Sequence, residues 1–188
     1  MGRLSAPSID IEAYAIVSAD DRIADARGVL PPELKNDADW RYFQGELDRC
    51  DVIVLGRLSH EATPNRRGRR RLVLSSRVAD LEERSDGWWW NARNVAWDAV
   101  VARLLPNGGH VGVPGGQAAF DYFLPLLSAF HLSRAHRIRL PGGRGLFSAV
   151  ERGEKAEDVL RGAGFADEAP MMIDRSAAVD LTIWRRAP

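Results

Sequence analysis

The sequence predicts an α/β protein with a mostly parallel central sheet covered by helices on both faces. Three observations predict it. Short apolar runs of buried-strand character recur, as in Asp51–Leu55 (DVIVL) and Leu72–Ser76 (LVLSS). Segments with helical spacing separate them, giving crossovers of about 10–15 residues. Glycine stands at strand-to-helix turns, in Leu55-Gly56-Arg57 and Val113-Pro114-Gly115-Gly116. With 188 residues the chain is expected to form one domain spanning 1–188.

The elements follow in order. Ile9–Val17 (IDIEAYAIV) alternates and then turns apolar, which marks a first strand. A loop through Gly28 and Pro31-Pro32 leads to a helix over Asn36–Asp48, capped by Asn36 or Asp37, whose stripe of Trp40, Phe43 and Leu47 is expected to face the sheet. Asp51–Leu55 is a buried strand, Leu58–Ala62 a short helix, Arg66–Arg71 an arginine-rich loop and Leu72–Ser76 the next strand. Glu82–Asn94 (EERSDGWWWNARN) is expected to be a loop. An amphipathic helix, Trp97–Leu105, ends at Pro106-Asn107-Gly108-Gly109. His110–Val113 reads as a strand, Gln117–Leu127 as a helix, Leu132–Leu140 as a strand and Pro141–Gly145 as a glycine-rich loop. A helix near Glu154–Gly162 and a last strand, Val179–Arg185, complete the chain.

Composition narrows the function classes. Twenty-six basic and 26 acidic residues give a formal charge of zero, which argues against nucleic-acid binding over the whole surface. One cysteine, Cys50, excludes an internal disulfide framework. No apolar run is long enough for a membrane helix, and the first residues lack an apolar signal core, so a cytoplasmic protein with no membrane partner is expected. The basic residues are 24 Arg and 2 Lys. Arginine suits bidentate phosphate recognition, although codon composition explains such a bias as well.

In a parallel sheet, ligands bind at the carboxyl ends of strands. The Gly56-Arg57 and Gly115-Gly116 turns would both lie there. Glycine lets backbone amides approach a phosphate, and Ser75-Ser76 ends a neighbouring strand. Neither a G-x-G-x-x-G fingerprint nor a P-loop is present.

Six segments in order resemble the dihydrofolate reductase-like superfamily, and most closely the stand-alone relatives of the reductase domain of riboflavin-biosynthesis deaminase-reductases. Ser18–Ala24 resembles S-L-D-G-x-I-A, with Asp21 in place of Gly. Asp39–Gln44 resembles the acidic-residue helix of dihydrofolate reductases, Val52–Arg57 the V-I-M-G-R motif, and Leu72–Ser76 the I-V-L-S-S strand. Val111–Gly116 resembles I-x-V-x-G-G, and Leu140–Phe147 the L-G-G-G-x-x-L-F loop of the riboflavin branch.

The resemblance implies a three-layer α/β/α fold with an antiparallel C-terminal strand. It implies an NADPH-dependent oxidoreductase that passes hydride to a pyrimidine or pteridine, similar to 5-amino-6-(5-phosphoribosylamino)uracil reductase. Val17, Gly56, Arg57, Leu58, Ser59, Ser75, Ser76, Arg77, Val113, Gly115, Gly116, Gln117 and Ala118 would bind the cofactor, with Arg57, Ser75, Ser76 and Arg77 around the 2′-phosphate. Asp39 would be catalytic, anchoring substrate and relaying a proton. Dihydrofolate reductase proper is the alternative. The stretch Gly28–Pro32 lacks that enzyme's Trp, and Phe120 stands where a Tyr follows its Gly-Gly turn. No H-x-E with P-C-x-x-C is present, so no deaminase site is expected.

Other residues carry further expectations. Arg66–Arg71 is a solvated loop, or the contact of a non-catalytic nucleotide- or nucleic-acid-binding protein on the same fold. Trp88-Trp89-Trp90 lines a substrate pocket or a homodimer seam, or anchors a loop. Cys50 is an inert thiol beside a buried strand. His60, His110, His131 and His136 have no carboxylate companion at metal-ligand spacing, so no metal is expected.

Overall fold

The computed structural model describes residues 8–187; the expected domain of 1–188 also takes in 1–7 and 188, outside the described residues. The first strand, β1 (Ile9–Ser18), divides its residues by alternation. Ile11, Ala13 and Val17 enter the main core on one face, while Tyr14 packs into a smaller cluster on the other. Asp21 follows at φ 61°, where the resembling motif has glycine. Its buried carboxylate accepts a hydrogen bond from the Ala156 amide at 3.1 Å and pairs with Arg134 at 2.7 Å. A short polar side chain at positive φ thus becomes an anchor. β2 (Arg22–Ala24) comes next, then a single 3-10 turn at Pro32–Leu34.

α1 (Asp37–Leu47) starts where the Asn36 side chain accepts from the Ala38 and Asp39 amides, both at 3.0 Å. β3 (Val52–Gly56), α2 (Arg57–Ala62) and β4 (Arg71–Leu74) follow the expected order. Arg71 opens β4 and is buried, so it is no part of a solvated loop, and Ser75 and Ser76 lie just past the strand.

The expected loop over Glu82–Asn94 is instead a hairpin, β5 (Leu81–Arg84) and β6 (Gly87–Trp90). Alternation sends Trp90 into the main core and Trp89 to the opposite face, beside Val73 and Val78. β5 is the sheet edge, and its Glu82, Glu83 and Arg84 are the charges that protect edges from pairing. The same charges give the segment a loop-like composition.

α3 (Trp97–Leu104) and β7 (Gly109–Gly115) lead to α4 (Gln117–Phe123). α4 is shorter than the expected Gln117–Leu127, because Pro125 cannot continue the helix and Leu124–Leu126 tightens to 3-10 form. β8 spans Ala129–Ala135 rather than Leu132–Leu140. It pairs with β1 from Glu12↔Ala129 to Ser18↔Ala135 and leaves the sheet where β1 ends. Beyond it, Ile138 and Leu140 pack on Leu34 and Val179, a separate use of the same polar–apolar alternation. β9 (Arg144–Gly145) pairs with β2, and α5 (Ser148–Glu151), α6 (Ala156–Gly162), β10 (Phe165–Asp167), β11 (Met171–Asp174) and β12 (Val179–Arg186) close the chain.

The large sheet runs β10-β12-β8-β1-β7-β3-β4-β6-β5, with β11 on β12. Its centre from β8 to β6 is parallel; β12 is antiparallel to β8, and β5 to β6. α1 and α2 cover one face, through Phe43, Leu47 and His60. α3, α4, α5 and α6 bury Val100, Leu104, Phe120, Phe123, Val150 and Leu160 on the other. The expected three-layer α/β/α order with an antiparallel C-terminal strand is therefore present.

Candidate functional site

At the carboxyl end of the sheet, β7 and β3 finish side by side, with Leu55 paired to Gly115 across an irregularity in the register. Gly115 has φ 144° and Gly116 φ 95°, conformations that side chains rarely adopt. A Cβ on Gly116 would lie 3.8 Å from the Gly56 nitrogen, so the two glycine turns face each other. Neither α2 nor α4 has a side-chain cap, which leaves the first-turn amides of both without a side-chain partner. The result is a ledge of bare backbone.

The other expected cofactor residues surround this ledge unevenly. Arg57 opens α2 and pairs with Glu61 at 2.6 Å, its side chain 21% exposed. Leu58 is exposed and Ser59 half-buried. At the end of β4, the Ser75 amide donates to the Trp90 carbonyl, and the Ser75 hydroxyl accepts from the Arg77 amide at 3.1 Å. Ser76 and Arg77 are exposed. Gln117 donates to the Gly145 carbonyl at 3.0 Å and to Glu151 at 2.9 Å, fixing the start of α4 against β9. Ala118 is exposed. Val17 and Val113 are wholly buried in the core and present only backbone.

Asp39 sits in the first turn of α1, half-buried over β8. Burial raises its carboxyl above the usual carboxylate range, and a hydrogen bond from the Ser133 hydroxyl works against that shift. Strand spacing puts β8 about 10 Å from β7 and roughly 14 Å from β3. β1 lies between Asp39 on one side and the glycine ledge on the other. Trp40, expected to face the sheet, is 53% exposed. Asp39 takes the inward position, and Phe43 and Leu47 continue it one and two turns on.

Sequence reasoning missed a second group of polar side chains under α1. Glu12 accepts a hydrogen bond from the Tyr14 hydroxyl at 2.8 Å. Its Oε2 lies 3.2 Å from His110 Nε2 and 3.4 Å from His131 Nε2. The two imidazoles hold the Glu12 carboxyl well below the usual range. Contacts with Cys50 and then Glu12 raise His110 to about 10. Tyr42 of α1 hydrogen-bonds His131 Nδ1. Every histidine has a carboxylate companion, since His60 meets Asp86 and His136 meets Asp180. These companions lie on other elements, so local spacing carries no trace of them. The one sequence signal is the polar alternation Asp10, Glu12, Tyr14 within the first strand.

The arginine run is not a free cationic patch. Arg67 and Arg69 pair with Asp48, Arg70 donates to the Leu104 carbonyl, and Arg71 donates to Thr63 and His60. Of the three tryptophans, Trp88 is half-buried and Trp89 almost wholly buried. Trp90 is wholly buried within this chain against Trp97, Tyr122 and Phe123.

No protein-family model matches the chain, and no curated protein matches it. Solved structures do match. Dihydrofolate reductase from Enterococcus faecalis, complexed with NADP(H), aligns at 18% identity with a TM-score of 0.68, covering 95% of this chain and 97% of that one. A candidate riboflavin biosynthesis protein from Shewanella sp. aligns at 18% identity and TM-score 0.64, covering 96% and 100%. A diaminohydroxyphosphoribosylaminopyrimidine deaminase/5-amino-6-(5-phosphoribosylamino)uracil reductase from Thermotoga maritima aligns at 15% identity and TM-score 0.67, covering 96% of this chain and 57% of that one. The fold is the dihydrofolate reductase-like fold, as the sequence resemblance implies. Among the described residues, no helix is long and apolar enough to cross a membrane.

Proposed function

We propose that the protein is an NADPH-dependent reductase acting on a pyrimidine or pteridine of the kind handled in riboflavin biosynthesis. The observation that carries this reading is the bare backbone ledge, where Gly116 at φ 95° faces Gly56 and a Cβ would fill the gap. Such a ledge fits a pyrophosphate, whose oxygens need close amides and no side chains. Arg57 and the Ser75-Ser76-Arg77 strand end supply donors suited to a 2′-phosphate, and Arg57 would exchange Glu61 for it. NADPH supplies hydride when bound.

The chain's own part is orientation and a proton. Asp39, raised by burial, holds its proton to higher pH than an exposed carboxyl. It would hydrogen-bond the substrate's ring edge and pass a proton to it, with Ser133 fixing the carboxyl's direction. The structural likeness to dihydrofolate and riboflavin-type reductases supports this reading. The riboflavin-type loop Leu140–Phe147, tied by β9 to β2, favours that branch over folate reduction.

The test is direct. NADPH and NADH are titrated with nicotinamide fluorescence as readout, and a panel of pterins and ribosylaminopyrimidines is then scored by NADPH oxidation. Tighter binding of NADPH and turnover of one panel member are expected. Binding of neither nucleotide would end the proposal.

A further inference from the structure

We propose that Asp10, Glu12 and His110 form a site for a first-row divalent cation such as Zn²⁺, at the amino end of β1 and β7. The site is independent of the nucleotide ledge, which lies at the opposite end of the same strands. One donor atom from each of the three residues falls within a 4.8 Å cluster. The sheet itself arranges them. Asp10 and Glu12 are two apart on β1 and share a face, and His110 is the register partner of Asp10 on β7.

The separations suit a metal. Donors at about 2.0–2.1 Å from a tetrahedral Zn²⁺ stand roughly 3.3 Å apart. His110 Nε2 and Glu12 Oε2 are 3.2 Å apart, so these two would close on an ion with little movement. Asp10 is exposed, which opens the site to solvent and leaves a position for water. One imidazole with two carboxylates is a donor set for zinc and its neighbours rather than for calcium, which takes oxygen alone.

A second observation points to the same place. The nitrogens His110 Nε2 and His131 Nε2 are both buried, and neither has a well-directed hydrogen-bond partner among the described residues. His131 is 6% exposed, with its Nε2 aimed at Glu12 Oε2 from 3.4 Å. Tyr42 and His131 Nδ1 share a hydrogen bond, which holds the ring with Nε2 facing the Glu12 carboxylate. On the other side, Cys50 gives its thiol hydrogen to the Glu46 carbonyl at 3.4 Å and lies 4.0 Å from His110 Nδ1. With Nδ1 turned to Cys50, Nε2 is the ring atom that faces Glu12, and an ion bound there would displace the proton that Nε2 shares with Glu12 in the metal-free protein. Ser128 donates to Asp10 and steadies the exposed ligand. Each ligand therefore has an orienting partner of its own.

The test uses the full chain and Co²⁺, whose visible ligand-field absorption reports the donor set, with Zn²⁺ as competitor. Equimolar, saturable Co²⁺ binding that Zn²⁺ displaces is expected. Asp10→Asn, at an exposed position, should keep the fold and weaken binding by about tenfold or more. His110→Ala should abolish binding, with far-ultraviolet circular dichroism confirming the fold. Absence of binding to the unmodified chain would overturn the site, as would unchanged affinity in folded Asp10→Asn. A thiolate charge-transfer band that vanishes in Cys50→Ser would overturn it too, by moving the ion to Cys50.

Discussion

The two ends of the central strands β1 and β7 are built on opposite plans. The carboxyl end of β7 is bare backbone, with Gly115 and Gly116 at positive φ against Gly56 of β3. The amino half of β1 and β7 is crowded, with Glu12 between His110 and His131 and Tyr14 and Cys50 alongside. α1 bridges the two, with Asp39 in its first turn and Leu47 in its last. At this second end, Gly112 has another purpose: a Cβ there would meet Cys50 Sγ at 2.7 Å, so glycine lets the end of α1 settle on β7. An extended phosphate ligand needs amides without obstruction. A compact charge cluster needs side chains converging from several strands.

The comparison can be broken most severely at the bare end. Gly116→Val should abolish NADPH binding. Holding Val at positive φ should lower stability by about 1–3 kcal/mol, and the protein should remain folded. Nucleotide fluorescence and a urea melt measure both, and a folded variant with normal NADPH affinity would move the cofactor elsewhere.

Asp39→Asn probes the bridge between the ends. Turnover should fall about 10²–10⁴-fold, the scale of a lost general acid, with NADPH affinity nearly unchanged. In the unmodified protein turnover should fall as pH rises through the titration of Asp39, and that descending limb should lie above the range of an ordinary Asp, because burial lets the carboxyl keep its proton to higher pH. Full turnover by the variant at every pH would assign the proton to another group.

Arg57→Ala sharpens the reading of the bare end. It should weaken NADPH by about 1.5–3 kcal/mol, the loss of a charge-assisted bond, and NADH by much less. Equal losses would remove Arg57 from the 2′-phosphate.

At the crowded end, the ion pair predicts a pH profile for stability. His110 rises from its ordinary 6.5 to about 10, so its contribution is complete below 6.5 and lost as pH climbs through 10. Glu12 is lowered from 4.5, so its contribution is present above that value and lost in acid. Urea midpoints should therefore decline from pH 6.5 toward 10. Glu12→Gln should cost about 1–3 kcal/mol near neutrality and flatten that decline, while leaving NADPH binding intact. An unchanged slope would leave Cys50, the larger influence on His110, as the sole cause.

The sequence by itself determined the order of the central elements and the position of the bare turns. Buried strands, capped helices and glycine turns are local patterns, legible from residue type and spacing in Asn36, Val52–Gly56 and Gly115-Gly116. Only the tertiary structure decided what lateral neighbours do. Trp88–Trp90 look like loop residues among charges until β4 and β5 flank them. Arg69 looks solvated until Asp48 meets it. Trp40 and Asp39 exchange inside for outside, because apolarity alone does not fix which edge of a helix meets the sheet. Glu12 and His110 lie on separate strands, and no local period links them. Strand pairing joins segments distant in the chain, so the side chains it brings together leave no common mark in the sequence.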